Sequence, residues 1–113
     1  MIHQTAIVEP GAQISTDVEI GAYSLIGKNV SIGSGTRIGN HAVITGKTLI
    51  GRNNNIFHHV SLGEQPQDKK YAGEETTLEI GDENVIREFC SFNTGTTQDK
   101  AKTVVGNRNW IMA

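Results

Sequence analysis

Four histidines (His3, His41, His58 and His59) and one cysteine, Cys90, are the side chains best suited to chemistry near neutral pH. An imidazole titrates close enough to neutrality to act as a general base or to ligate a metal. A thiolate is a nucleophile. Spacing restricts both roles. His41 and His59 lie eighteen residues apart, which matters only if the chain repeats with that period. Structural zinc takes four ligands and catalytic zinc three, and no third histidine is well placed within one chain. A further polar cluster, Gln67-Asp68-Lys69-Lys70, puts a carboxylate beside two amines. Taken alone, it reads as a solvated charged loop.

The elements that position these residues follow from a rhythm of six. Stepping from Ile2 gives Val8, Ile14, Ile20, Ile26, Ile32, Ile38, Ile44, Ile50, Ile56 and Leu62, every one aliphatic. Two residues before each of these runs a second column of mostly small or β-branched side chains, among them Ala12, Val18, Val30, Thr36 and Val60. Just after come Gly21, Gly27, Gly33, Gly39, Gly51 and Gly63. Neither a helix, with a period near 3.6, nor a flat strand, with a period of 2, asks for this spacing. A β-solenoid does: each short strand forms one side of a prism, with one large and one small side chain inward, and Gly or Asn in the turns accepts positive φ at low cost. Three sides make a coil of about 18 residues rising by the strand spacing of about 4.8 Å. Ile14, Ile32 and Ile50 then stack in one column, and Ile20, Ile38 and Ile56 in another. Tyr23, His41, His59 and Phe89 fall in a lateral column of rings, either exposed or packed on a neighbouring subunit. Cys90 falls in the small inward column, as a buried inert thiol. Arg87 and Trp110 point outward.

The rhythm breaks after Leu62 and resumes at Ile80, Ile86 and Phe92, then breaks again before Val105 and Ile111. Loops are therefore expected near 64–77 and 94–102, thrown out of about five coils, with Ile80 stacking on Ile50. Loops on a rigid scaffold are common carriers of function.

Bulk properties agree with a single repeat domain. The chain has 113 residues, 36% hydrophobic and 5% aromatic, with a net charge of −2. A narrow core suffices for a repeat fold. Nothing in the charge points to a nucleic acid or an anionic membrane. One cysteine allows no intrachain disulfide, and the start has neither a basic region nor an apolar run, so a cytoplasmic location without membrane insertion is expected.

The hexapeptide pattern resembles the left-handed parallel β-helix acyltransferases. The handedness comes from that resemblance, since general crossover rules favour the right hand. The run SLGEQPQDKKYAGEETTLEIGDENVIRE, residues 61–88, is similar to the acyl-[acyl-carrier-protein]–UDP-N-acetylglucosamine O-acyltransferases, and so is NWIMA near residue 113. The resemblance implies a homotrimer with its site between subunits, at the first step of lipid A synthesis. A (3-hydroxy)fatty acyl group would move from the phosphopantetheine thioester of acyl carrier protein to the glucosamine 3-hydroxyl of UDP-N-acetylglucosamine, with no other cofactor and no metal. Asp68 and Lys70 match positions that contact a sugar or acyl hydroxyl and a phosphate, and Gln67 matches a neighbouring acyl contact. The family's general-base histidine follows the NWIMA-like segment, so it is expected beyond Ala113, with further coils and a C-terminal helical domain. On that expectation residues 1–113 form one truncated β-helix domain, inactive alone. Asn93 and Thr94 depart from the His-Arg that many members carry. The alternative is a non-catalytic trimeric β-solenoid scaffold, for which the QDKKYAGE loop would have no use.

Overall fold

A strand of two to four residues follows each turn, because one inward aliphatic and one outward polar residue make a minimal half-buried strand. The structure, a computed structural model, describes residues 1–65, 76–94 and 102–113. Its strands form the three sides of a prism, all pairing in parallel. One side stacks β1 (Ile7–Val8), β4 (Leu25–Ile26), β7 (Val43–Ile44), β10 (Ser61–Glu64) and β13 (Ser91–Asn93). The second stacks β2 (Gln13–Ile14), β5 (Val30–Ile32), β8 (Lys47–Ile50), β11 (Thr77–Ile80) and β14 (Lys102–Val105). The third stacks β3 (Glu19–Ile20), β6 (Arg37–Ile38), β9 (Asn55–Ile56), β12 (Val85–Ile86) and β15 (Trp110–Ile111).

The registers follow the sixfold reading. Ile14 pairs with Ile32, Ile32 with Ile50, and Ile50 with Ile80 across the first interruption. Ile20, Ile38 and Ile56 form the second column. Ile26, Ile44, Ile56, Leu62 and Ile86 are at most 1% exposed, so the axis of the prism is a continuous aliphatic core. Strand already extends through Glu64 and starts again at Thr77, and likewise at Lys102, so the interruptions are narrower than the sequence suggested.

Glycine acts differently from the sequence expectation. Most glycines that follow the aliphatic position do not have positive φ; they sit where adjacent coils touch. A Cβ on Gly33 would lie 2.7 Å from the Gly51 carbonyl oxygen, and one on Gly51 would lie 2.6 Å from that of Gly81. Gly11, Gly46 and Gly63 at the third corner do have positive φ, but most of the left-handed backbone falls later in the turn, in two other columns. One holds Gly35, Asn53, Glu83 and Arg108; the other holds Tyr23, His41, His59 and Phe89, with φ between 55° and 66°.

Candidate functional site

The segment bearing Gln67, Asp68 and Lys70 lies outside the described residues, and the structure gives its two roots. It leaves β10 past Gln65 and re-enters at Thr76, just before β11. Beside the exit, β10 bulges between Leu62 and Glu64. Gly63 has φ +87°, and a Cβ there would run into the Thr45 carbonyl and the Thr48 hydroxyl, so glycine alone fits. The Glu64 carbonyl accepts the Thr94 N–H at 3.0 Å. Thr76 Oγ1 donates to Thr94 Oγ1 at 2.7 Å, and both residues are 6% exposed. Thr94 is also the last described residue before the second interruption. A groove of about 840 Å³ opens beside these roots, lined by Lys28, Ser31, Thr45, Lys47 and Gln65 among others.

The four histidines lie elsewhere. His3 Nδ1 sits 2.9 Å from the Thr5 hydroxyl near the first coil. His41 stacks between Tyr23 and His59, with ring centroids 5.3 and 5.0 Å away, and Phe89 stacks on His59 at 5.6 Å. This is the column that a period of eighteen demands. Tyr23 and Phe89 are 64% and 69% exposed, so the rings line the outside of the prism. His58 Nδ1 lies 2.8 Å from His59 Nδ1, so one ring N–H donates to the other ring's lone pair. Among the described residues, no three side chains of metal-ligating type converge.

Cys90 faces inward, its Sγ 3.7 Å from the Ile111 carbonyl oxygen, and burial pushes its thiol pKa up. A thiol so placed is a poor nucleophile. Arg87 does turn outward, and it finds partners within the chain. Its guanidinium lies 4.4 Å above the Phe57 ring, and its Nε meets Glu88 Oε1 at 3.0 Å. The Glu88 carboxyl is held below its usual range, first by its own backbone N–H and then by Arg87. Trp110 is 69% exposed on the third side.

Two features escaped the sequence reading. Asn54 and Asn84 are buried in the small inward column and bond to one another and to the coils around them. The Thr76–Thr94 pair was equally hidden. Its only sequence trace is a spacing of eighteen between two threonines that flank the interruptions.

The sequence and the fold can be compared with those of known proteins. A family model described as bacterial transferase hexapeptide (six repeats) matches residues 11–46. An acyl-[acyl-carrier-protein]–UDP-N-acetylglucosamine O-acyltransferase from Thiobacillus denitrificans is 70% identical over 112 residues, covering 99% of this chain and 43% of the relative. This chain is a hexapeptide-repeat β-helix of that acyltransferase family. The protein of the same name from Herminiimonas arsenicoxydans is 67% identical over 113 residues, 100% of this chain and 43% of its own length. LpxA from Acinetobacter baumannii has a solved structure that superposes with a TM-score of 0.97 at 54% identity, covering 99% of this chain and 43% of that one. The solved UDP-N-acetylglucosamine O-acyltransferase from Moraxella catarrhalis gives a TM-score of 0.96 at 49% identity, covering 98% of this chain and 43% of that one. The fold is thus the left-handed parallel β-helix. The chain spans less than half the length of the curated relatives it matches.

Proposed function

We propose that this chain is the β-helical part of an acyl-[acyl-carrier-protein]–UDP-N-acetylglucosamine O-acyltransferase and contributes substrate-binding groups rather than the general base. The observation that carries this reading is 70% identity over 99% of the chain with a relative of that name. In the reaction, a base takes the proton of the glucosamine 3-hydroxyl and the oxygen attacks the acyl thioester carbonyl. The C–S bond breaks, and the phosphopantetheine thiol leaves with a proton. The acyl group is a (3-hydroxy)fatty acyl chain destined for lipid A. The base comes from a histidine outside this chain. None of His3, His41, His58 and His59 falls at the family's position for the base, and His41, His58 and His59 sit against one another on the outer corner. Asp68 accepts from a hydroxyl of sugar or acyl chain, Gln67 contacts the acyl group and Lys70 meets a phosphate, as charge and donor type allow. The working form is a homotrimer in the cytoplasm. Exposed Ile7, Val104 and Trp110 on the single chain are consistent with partner subunits.

The test is a chimera in which residues 1–113 replace the matching segment of the Thiobacillus denitrificans relative. It should transfer a 3-hydroxyacyl group from acyl carrier protein to UDP-N-acetylglucosamine, and Asp68→Ala should raise the KM for the sugar nucleotide about tenfold or more. A folded trimeric chimera without activity would sink the reading and leave a β-solenoid scaffold.

A further inference from the structure

We infer that His58 and His59 form a two-nitrogen chelate for Cu(II) on the outside of the ring corner; the inference does not depend on the acyl transfer proposed above. Consecutive side chains of an extended strand point to opposite sides. These two do not, because His59 turns through the left-handed region at φ 55°. Their Nδ1 atoms face each other at 2.8 Å, with the ring planes at 86°. His59 is clamped between the His41 and Phe89 rings, at 5.0 and 5.6 Å, and the His58 ring stands edge-on to Phe89 at 6.1 Å. Both imidazoles remain exposed to solvent.

Spacing selects the ion. An imidazole nitrogen ligates a divalent first-row metal at about 2.0 Å. Two such nitrogens at right angles then lie about 2.8 Å apart, and at a tetrahedral angle about 3.3 Å. The observed separation is the first, the cis edge of a square plane, which is the preference of Cu(II) and Ni(II). Cu(II) heads the affinity order. Zinc takes three or four protein ligands and is not served, because among the described residues no third side chain of ligand type joins the pair. Water completes the plane. In the neutral pair one Nδ1 carries the hydrogen and the other the lone pair. On binding, that hydrogen moves through solvent to Nε2 of its own ring, and a partial turn of the His58 ring aims both lone pairs at the ion. The exchange releases no net proton. The cations nearby are already matched. Arg87 pairs with Glu88 at 3.0 Å, and Arg37, which lines the same groove as His58, pairs with Glu19 at 3.1 Å.

The test is titration of the chain with Cu(II), followed by calorimetry and pulsed EPR. His3→Ala is the background throughout, since a histidine third from a free amino terminus chelates Cu(II) through backbone nitrogens. One Cu(II) should bind per chain with two coordinated imidazoles, and Ni(II) should bind more weakly. His58→Ala keeps the turn at His59 and its stacks. It should weaken Cu(II) about tenfold or more and leave one imidazole on any ion still bound. His59→Asn, a residue that accepts the left-handed backbone, should do the same. His41→Phe keeps the column of rings but removes an imidazole, and should bind as the parent does. Unchanged Cu(II) affinity in His58→Ala, or a single imidazole on the ion bound to the parent, overturns the inference. So does loss of binding in His41→Phe with retention in His58→Ala, which would put the ion on the stacked column instead.

Discussion

Two corners of the prism turn through the same left-handed backbone and are held by opposite means. At the corner of Gly35, Asn53, Glu83 and Arg108, the support is inside. Thr36 donates to the Gly51 carbonyl at 2.8 Å, Asn54 to the Gly81 carbonyl at 2.8 Å, and Asn84 to the Gly106 carbonyl at 2.8 Å. The Asn84 oxygen also receives the Asn109 N–H at 2.9 Å. At the corner of Tyr23, His41, His59 and Phe89, the inner column is Ser24, Ala42, Val60 and Cys90. Ser24 repeats the hydroxyl-to-carbonyl bond, to Gly39 at 2.8 Å, but the coils above it do not have an oxygen or amide there, and the support is mainly outside, in the stacked rings. A non-glycine residue in the left-handed region costs about 1–2 kcal/mol, and an aromatic pair returns about 0.5–1.5 kcal/mol. The ring corner offsets its strain between neighbouring coils. The polar corner places Gly35 and Asn53, but also Glu83 and Arg108, in the left-handed region, and uses its inner side chains to bind carbonyls.

The largest effect should come from breaking the inner ladder. Asn84→Ala removes four hydrogen bonds that its side chain makes and opens a cavity beside Asn54. We expect a loss of about 3 kcal/mol in chemical denaturation. A change under about 1 kcal/mol would mean that the ladder is decoration. Glycine substitution at the two outer columns gives a middle-sized contrast. His59→Gly relieves φ of 55° but removes both the His41 and Phe89 stacks, for a net loss of about 1 kcal/mol. Asn53→Gly relieves the same φ of 55° without losing a stack and should stay within about 0.5 kcal/mol of the parent. Equal responses would erase the distinction between the corners. The smallest effect concerns acid. Asp17 sits below the polar corner, its carboxylate accepting the Ser34 hydroxyl at 2.7 Å and the Gly35 N–H at 3.1 Å. These bonds, Ser34 first, hold its pKa below the usual carboxylate value. Because the folded pKa is depressed, the contribution is complete above the unfolded pKa of about 3.9 and is lost as pH falls through the folded one. Asp17→Asn should flatten the acid limb of a stability–pH curve; an unaltered limb would assign acid sensitivity to other carboxylates.

Most of the fold was legible because a period is a global constraint. Once Ile14, Ile32 and Ile50 share a column, the pairing of Ile80 with Ile50 and the stacking of His41 on His59 follow by counting. What a period cannot convey is the content of a position. It marked the glycine after each aliphatic residue but not the reason, which is contact between coils rather than positive φ. It put Asn54 in the small column without revealing that a buried amide there would bind Gly81 and Asn84. It read Tyr23, His41, His59 and Phe89 as a ring column, yet offered no sign that each bears the left-handed backbone, since aromatic rings such as Tyr and Phe are unusual there. Of the candidate site, Gln67, Asp68 and Lys70 came from resemblance. The Thr76–Thr94 pair is visible only in the fold, because two hydroxyls eighteen residues apart look like any others in a sequence.

Every described strand pairs only with the coil before it and the coil after it. That has a consequence for how the chain acquires order. No long-range closure has to be found first. A few adjacent coils, once joined, form a template edge, and ordering spreads one coil at a time, as in other linear arrays. An interruption merely lengthens one step of that zipping, and the entropic penalty grows only with the logarithm of the added length. Segments can therefore be lengthened or exchanged at the corners without rewriting the coils downstream, which makes the prism a frame on which new surface chemistry can be tried at little risk to folding.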